Sequence, residues 1–157
     1  MSILKSIFLL FAMASISHQV SAKNYDLASQ APHSPILGLD GLHSSITIEM
    51  LAVIKNQKQF SKIWHLHSAD YSPALEMPII DFDLWQVIAV FLGESLHCNK
   101  SFGSSSYTGE DDSTINIGLT VLMSEPKECA PERPHKFLII PQNDKFVKVE
   151  FEVKNSL

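Results

Sequence analysis

The sequence predicts an α+β fold that is mainly β, with an antiparallel or mixed sheet or sandwich of about 6–7 strands and one packed helix. Three observations favour this class. Short segments rich in β-branched and aromatic residues recur along the chain, one segment has a clear helical period, and residues 87–92 are apolar at every position. We interpret residues 87–92 as the central strand, buried on both faces, because Pro78 before it and Gly93 after it leave too little room for a helix.

Strands are also predicted on both sides of this central strand. Residues 35–41 contain two glycines and form at best a short edge strand, whereas residues 45–54 are rich in β-branched side chains. Three apolar or alternating segments complete the chain, at residues 114–123, 135–140 and 146–153. Asn143-Asp144 lies between the last two and predicts a hairpin, which would make them antiparallel neighbours.

The helix is predicted from Gln57 to about Leu66. Asn56 can cap it, and Gln59 follows three residues later, as in a capping box. The apolar residues at helical spacing share one face, which we expect to pack on the sheet: Phe60, Ile63 and Trp64.

Two histidines, His65 and His67, lie near the end of this helix and raise the question of a metal site. On a helix, residues two apart point to different sides, so we do not expect them to bind one ion together. The simpler interpretation is that a histidine here caps the last carbonyl groups and interacts favourably with the helix dipole.

Asp81 and Asp83 flank Phe82 just before the central strand. In an extended segment both carboxylates would face the same side, where they could share a proton or bind a cation. No nucleophile, histidine or glycine-rich loop is tied to this pair, so we favour a structural role. In that role Asp81 accepts backbone hydrogen bonds in an Asx turn and Phe82 fills the core beneath it.

Residues 94–107 are small and polar and form either an exposed loop or an irregular strand. Surface segments of this kind often hold binding contacts. The candidate partner-binding residues are therefore Asn99, Lys100, Ser101, Phe102 and Gly103.

The first 22 residues are typical of a signal peptide. Lys5 supplies a positive charge, residues 7–14 form a short apolar core, and Val20-Ser21-Ala22 provides small residues for a signal peptidase. The apolar core is shorter than the roughly 20 residues of a membrane-spanning helix. We predict a periplasmic or secreted protein with no membrane span after cleavage, a flexible leader over residues 23–34 and a single domain over residues 35–157.

Charge narrows the class of partner. Cleavage after Ala22 leaves 135 residues, enough for one domain, and removes Lys5, which changes the net charge from −5 to −6. Mild acidity argues against binding to nucleic acid or to anionic membrane surfaces, because both attract basic patches.

Cys98 and Cys129 are the two cysteines, and an exported chain meets an oxidising compartment. We predict a disulfide between them, worth about 3–4 kcal/mol on the chain-entropy account. The alternatives are a free catalytic thiol and metal binding by Cys98 together with His97.

The sequence contains no phosphate-binding loop, dinucleotide fingerprint, zinc-protease helix or nucleophile elbow. Serine, histidine and aspartate are present, but no spacing ties them into a triad. We therefore predict no catalytic residue, no metal ligand and no cofactor.

The order of these motifs resembles the PrcB-like domain, a family named after an accessory subunit of a secreted bacterial protease complex. The resemblance covers about residues 45–153 and depends on a helix with Trp64, the Asp81-Phe82 pair, the apolar strand with Gly93, and residues 134–141. It implies an exported, mainly β domain with one helix and no enzymatic activity of its own. The chain departs from the family at residues 97–103, where a Thr-Gly-Gly-Tyr-like turn is usual, so the identity of a partner does not carry over.

Three hypotheses for function follow. The first is a non-enzymatic module that binds another protein, such as an exported protease. The second is a protease inhibitor that presents the loop from Cys98 to Tyr107, because a loop stiffened by a disulfide loses less entropy on docking. The third is a small metal-binding protein or enzyme that uses Asp81, Asp83 and the histidines.

Overall fold

The computed structural model describes residues 37–155, so the predicted signal peptide (1–22) and leader (23–34) lie outside the described residues. The predicted class is confirmed, since this part of the chain is mainly β with one helix. Its elements in order are β1 (Leu37–Gly41), β2 (Glu49–Ile54), α1 (Gln57–His67), β3 (Trp85–Leu92), β4 (Lys100–Glu110), β5 (Thr114–Met123), β6 (His135–Pro141) and β7 (Phe146–Asn155).

The strands form two sheets. The first is antiparallel with the order β1-β6-β3-β2, and the second has the order β4-β5-β7. In the second sheet β4 is antiparallel to β5, whereas β7 runs parallel to β5. The predicted central strand is confirmed, because β3 is an inner strand and residues 86–91 are all buried.

Two hydrophobic layers cover the two faces of the first sheet. Val87 and Ala89 of β3 face the core that contains Phe60 and Trp64 of the helix. The intervening residues Ile88 and Val90 pack with the inner face of the second sheet. An unbroken apolar strand is therefore required here, because alternate side chains enter different cores.

The helix begins and ends as its capping residues dictate. Asn56 Oδ1 accepts a hydrogen bond from Gln59 N at 2.9 Å, and Gln59 Oε1 accepts one from Lys55 N at 3.1 Å. Gln59 thus reaches one residue further back than in the predicted capping box. At the other end Ser68 Oγ donates to Trp64 O at 2.8 Å.

The predicted hairpin between residues 135–140 and 146–153 is wrong. β6 pairs on one edge with β1 and on the other with β3, so no edge remains for β7. β6 is buried from His135 to Ile140 and needs neighbours on both sides, whereas β7 is charged at alternate positions. After Pro141 the chain crosses to the second sheet, where Phe146 N donates to Ser113 O at 2.8 Å and β7 joins β5.

The predicted disulfide between Cys98 and Cys129 is present, with the two Cα atoms 6.2 Å apart. It ties the segment that enters β4 to the loop that precedes β6. Disulfides persist in oxidising compartments, so the bond indicates a location outside the cytoplasm. Across the described part of the chain, no helix has the length and apolar character needed to cross a membrane.

Replacing both cysteines by serine is expected to lower the free energy of unfolding by about 3–4 kcal/mol, because the unfolded chain regains the freedom of the 31-residue separation that the bond closes. Urea denaturation of the exported protein measures the change, and wild-type protein under reducing conditions is the matched control. Two alkylatable thiols in the exported wild-type protein would contradict the bond itself.

Candidate binding site

An apolar groove of about 510 Å³ opens between the two sheets, at the end where β2 begins and β7 ends. Its walls are mostly aliphatic and aromatic, and Glu49 and Lys100 add one charge of each sign. The lining residues come from five strands: Glu49, Met50, Leu51, Val90, Phe91, Leu92, Lys100, Val121, Met123, Phe151 and Val153.

The strand registers show why the groove is open on one side. Across the first sheet, one row of paired residues is Asp40, Lys136, Val90 and Leu51. Across the second sheet, a row in the same region is Phe102, Val121 and Val153. Lys136 closes the sandwich over the β4 side, whereas Leu51 and Val153 remain 46% and 64% exposed on the β2 and β7 side.

Apolar and charged residues alternate along β7, but only part of its apolar face is buried in the core. Val147 is buried and Val149 is half-buried, both against the second core. Phe151 continues the same apolar face but is 48% exposed, because β2 is the last strand of the first sheet and does not cover it. The sequence pattern of a buried face therefore continues into an exposed one.

The five predicted partner-binding residues do not share one surface. From Lys100 onward the segment belongs to β4, an irregular strand with register shifts after Phe102 and after Tyr107, so the strand alternative was the correct one. Of the five, Lys100 lines the groove. Asn99 is occupied locally: its side chain accepts from Ser95 Oγ at 3.0 Å and its carbonyl accepts from Ser124 N at 3.0 Å.

Phe102 and Gly103 instead hold a buried cation. Lys136 Nζ donates to Gly103 O at 2.9 Å, lies 3.9 Å from Asp40 Oδ2 and sits 5.7 Å from the centre of the Phe102 ring. The side chain of Lys136 is 8% exposed and joins the first sheet to the second. The irregularity after Phe102 accompanies this contact, because Gly103 O bonds the lysine across the two sheets.

The four residues of the predicted structural motif are all engaged in the fold. The ring centre of Trp64 lies 5.6 Å from that of Phe137, and the ring centre of Phe82 lies 5.9 Å from that of Phe60. Asp81 Oδ1 accepts from Asp83 N at 3.0 Å, so the Asx turn is confirmed and Asp81 and Asp83 do not form an extended pair. Gly93 has φ +72°, where a side chain would be strained, and an added Cβ would lie 3.1 Å from Glu49 N.

His65 and His67 point to different sides, as predicted: His65 is exposed and His67 is 1% exposed. The predicted capping role of a histidine is wrong for His67, because its ring is buried and Ser68 bonds the carbonyl of Trp64 instead. His67 Nδ1 lies 3.0 Å from Ser44 Oγ, which also accepts from Ile46 N at 3.1 Å. The tautomer of the His67 ring sets which of the two groups donates in this contact.

A serine hydrogen-bonded to a histidine is also the arrangement of a catalytic nucleophile and its general base. Burial, together with the smaller effect of the neighbouring His135 ring 4.2 Å away between centres, lowers the pKa of His67 to about 4. Such a neutral imidazole is a weak base. Ser44 is itself 4% exposed. The contact thus joins the loop before β2 to the end of the helix, and we call it the latch.

A second, polar cavity of about 310 Å³ lies beside this latch, lined in part by His43, Asp70, Tyr71 and Arg133. The Arg133 guanidinium is already paired with Glu94, at 2.8 Å from Nη2 to Oε2. Within residues 37–155 no group of three or more histidine, cysteine, aspartate or glutamate side chains is arranged to hold a metal ion.

Apart from Lys100, sequence reasoning missed the residues that form the groove, and it also missed the contact between Ser44 and His67. Leu51, Phe151 and Val153 look like core positions in a strand pattern. No local signal shows that they stay exposed. For His67, its place on the same helical face as Phe60 and Trp64 could have indicated burial, since the three recur at helical spacing.

Comparisons of the chain with protein-family models, curated proteins and solved structures found no match. The resemblance to the PrcB-like domain thus stays a prediction.

Replacing Lys136 by alanine is expected to cost about 1–3 kcal/mol of the free energy of unfolding, because Gly103 O loses its charged donor. Replacement by methionine keeps most of the side-chain volume but removes the hydrogen bond. Comparing it with alanine therefore separates the contribution of the hydrogen bond from that of packing. Urea denaturation reports both, with the exposed Lys62→Ala as control. Equal stability of wild type and Lys136→Ala would mean that the contact does not hold the sheets together.

The stability of the protein should fall between pH 6.5 and about 4 through His67. The unfolded chain takes up a proton near pH 6.5, whereas the folded His67 does so only near its lowered pKa of about 4. This difference in pKa corresponds to about 3 kcal/mol of the free energy of unfolding. The free energy of unfolding of wild type should therefore drop by that much more than that of His67→Gln on going from pH 7 to pH 4.

The exposed His65→Gln is the control for this experiment and should keep the wild-type pH dependence. Chemical denaturation at several pH values measures all three proteins. Parallel curves for wild type and His67→Gln would show that His67 does not carry this effect.

Proposed function

We propose that the protein is an exported, non-enzymatic module that binds another protein through the groove between its two sheets. The observation that carries this proposal is the exposure of Leu51, Phe151 and Val153 around one apolar concavity. Contiguous exposed apolar surface beside charged residues is typical of interaction sites in folded proteins. A location in the periplasm or outside the cell fits both the predicted signal peptide and the disulfide.

The resemblance to the PrcB-like domain supports an accessory role beside an exported protease. In that role the chain would stabilise or assemble the protease and leave the chemistry to it. The residues that carry the resemblance, Trp64, Asp81, Phe82 and Gly93, all have structural contacts. They supply the scaffold, whereas the groove supplies the contact surface.

A protease inhibitor is the second candidate function, and one observation favours it. Leu96 is 62% exposed, within a short segment held at Ser95 by a bridge to Glu132 and at Cys98 by the disulfide. A stiff segment with a protruding apolar side chain is suited to insertion into a protease cleft. This segment lies just before the predicted loop from Cys98 to Tyr107, which is strand β4 from Lys100 onward.

The proposed function is tested by recovery of a partner from the native host. The full chain, carrying an affinity tag, is exported, crosslinked in intact cells and purified as wild type, as Phe151→Lys and as the control Ile79→Lys. Ile79 is 91% exposed and is not among the groove residues. We expect one protein in a fixed ratio to wild type and to Ile79→Lys, and a clear loss with Phe151→Lys.

Recovery of the chain alone in all three cases would contradict the proposed function. Protease assays on the recovered complex then separate the two roles. Inhibition that disappears in Leu96→Ala but persists in Phe151→Lys would favour the inhibitor.

A further inference from the structure

Four strands form the edges of the two sheets in the described part of the chain: β1, β2, β4 and β7. A free strand edge can pair with another chain, and proteins usually protect such edges. Three of the four carry a recognisable protection. β1 is five residues long and includes the charged Asp40, β4 is broken by two register shifts, and β7 is charged at alternate positions by Lys148, Glu150, Glu152 and Lys154.

β2 is the least protected of the four, because it has neither register shifts nor alternating charges and its one charged residue, Glu49, stands at its first position. It is a regular six-residue strand without proline, and its pairing with β3 is continuous from Glu49 to Ile54. After its first residue every side chain is apolar. Leu51 projects into the groove and is 46% exposed. β2 is therefore both the least protected edge and one wall of the candidate site.

We propose that an extended segment of another protein adds to the free edge of β2 as a fifth strand of the first sheet, with alternate apolar side chains in the groove. This inference rests on the proposed function and specifies its binding mode. The added strand would gain main-chain hydrogen bonds from β2, and the groove would select apolar residues at every second position. It would also cover Phe151 and Val153, which the first sheet leaves exposed.

Charge favours a basic partner segment over a second copy of this chain. Glu49 begins β2 with its side chain 78% exposed, and its carboxylate lies 3.9 Å from Lys100 Nζ, too far for a hydrogen bond. A lysine or arginine on the added strand opposite Glu49 would supply that bond. Two copies of the chain after the predicted cleavage would each bring a net charge of −6, which opposes association.

A synthetic peptide tests the binding mode on the full exported chain. The probe is a fluorescent ten-residue peptide in which valine alternates with threonine and one terminal valine is replaced by lysine, because a residue opposite Glu49 lies on the same face as the valines opposite Leu51. The control peptide has the same composition with its valines consecutive. Fluorescence anisotropy measures the affinity, and we expect binding of the alternating peptide only.

Two further peptides test the main-chain contacts. Each carries N-methyl groups on alternate amides, along one edge or along the other. A peptide that adds as a strand uses one edge, so one methylated version should fail to bind and the other should bind normally. Amide hydrogen exchange on peptide binding should slow in residues 49–54 and not in residues 146–155.

Variants of the protein locate the site. Leu51→Lys and Val153→Lys, on opposite walls of the groove, should each weaken binding by about tenfold or more. Glu49→Gln should weaken it by about two- to fivefold and reduce its salt dependence. Ile79→Lys should leave the affinity unchanged, and circular dichroism verifies that every variant is folded.

The proposal is overturned if the alternating peptide does not bind up to about 1 mM, if neither set of N-methyl groups matters, or if Leu51→Lys binds like wild type. Protection in residues 146–155 would assign the added strand to β7 instead. A dimer in light scattering that Leu51→Lys dissociates would assign the edge to a second copy. If wild type and Leu51→Lys recover the same partner from cells equally well, the added-strand proposal is contradicted, whereas the proposed function is not.

Discussion

The structure depends on one constraint, the need to cover both faces of β3 and β6. These neighbouring inner strands are buried along almost their whole length, so each face of the first sheet needs its own layer. The helix covers one face through Phe60 and Trp64, and the second sheet covers the other through Ile117 and Leu119. The rest of the chain serves to bring these two layers into place.

The two layers do not match in width, and the candidate site arises from that mismatch. Four strands face three, and the sandwich is closed on one side by Lys136, which reaches from β6 to Gly103 of β4. On the other side Leu51 of β2 and Phe151 of β7 remain half-exposed, and Lys100 and Glu49, 3.9 Å apart, form no hydrogen bond between the sheets. A partner can therefore reach the space between the sheets from the open side, between β2 and β7.

Two buried polar side chains help to hold the scaffold together. Ser44 and His67 connect the loop before β2 to the helix, and His67 is kept neutral by burial and by His135. Gly41 belongs to the same cluster, because a Cβ there would come within 2.8 Å of His135 Cε1. These groups hold the start of β2 in place, so they support the edge that we propose for partner binding.

The sequence by itself determined the features that depend on near neighbours: the Asn56 cap, the apolar face of the helix, the alternation of β5, the Asx turn at Asp81 and the glycine that ends β3. Each involves residues within a few positions of one another, so its physics is visible in a short segment. Only the tertiary structure decided that β7 pairs with β5 and that Phe151 and Val153 stay exposed. Asn143-Asp144 permits a hairpin, but β6 needs both of its edges for β1 and β3, and the number of strands in each sheet decides which apolar residues are covered.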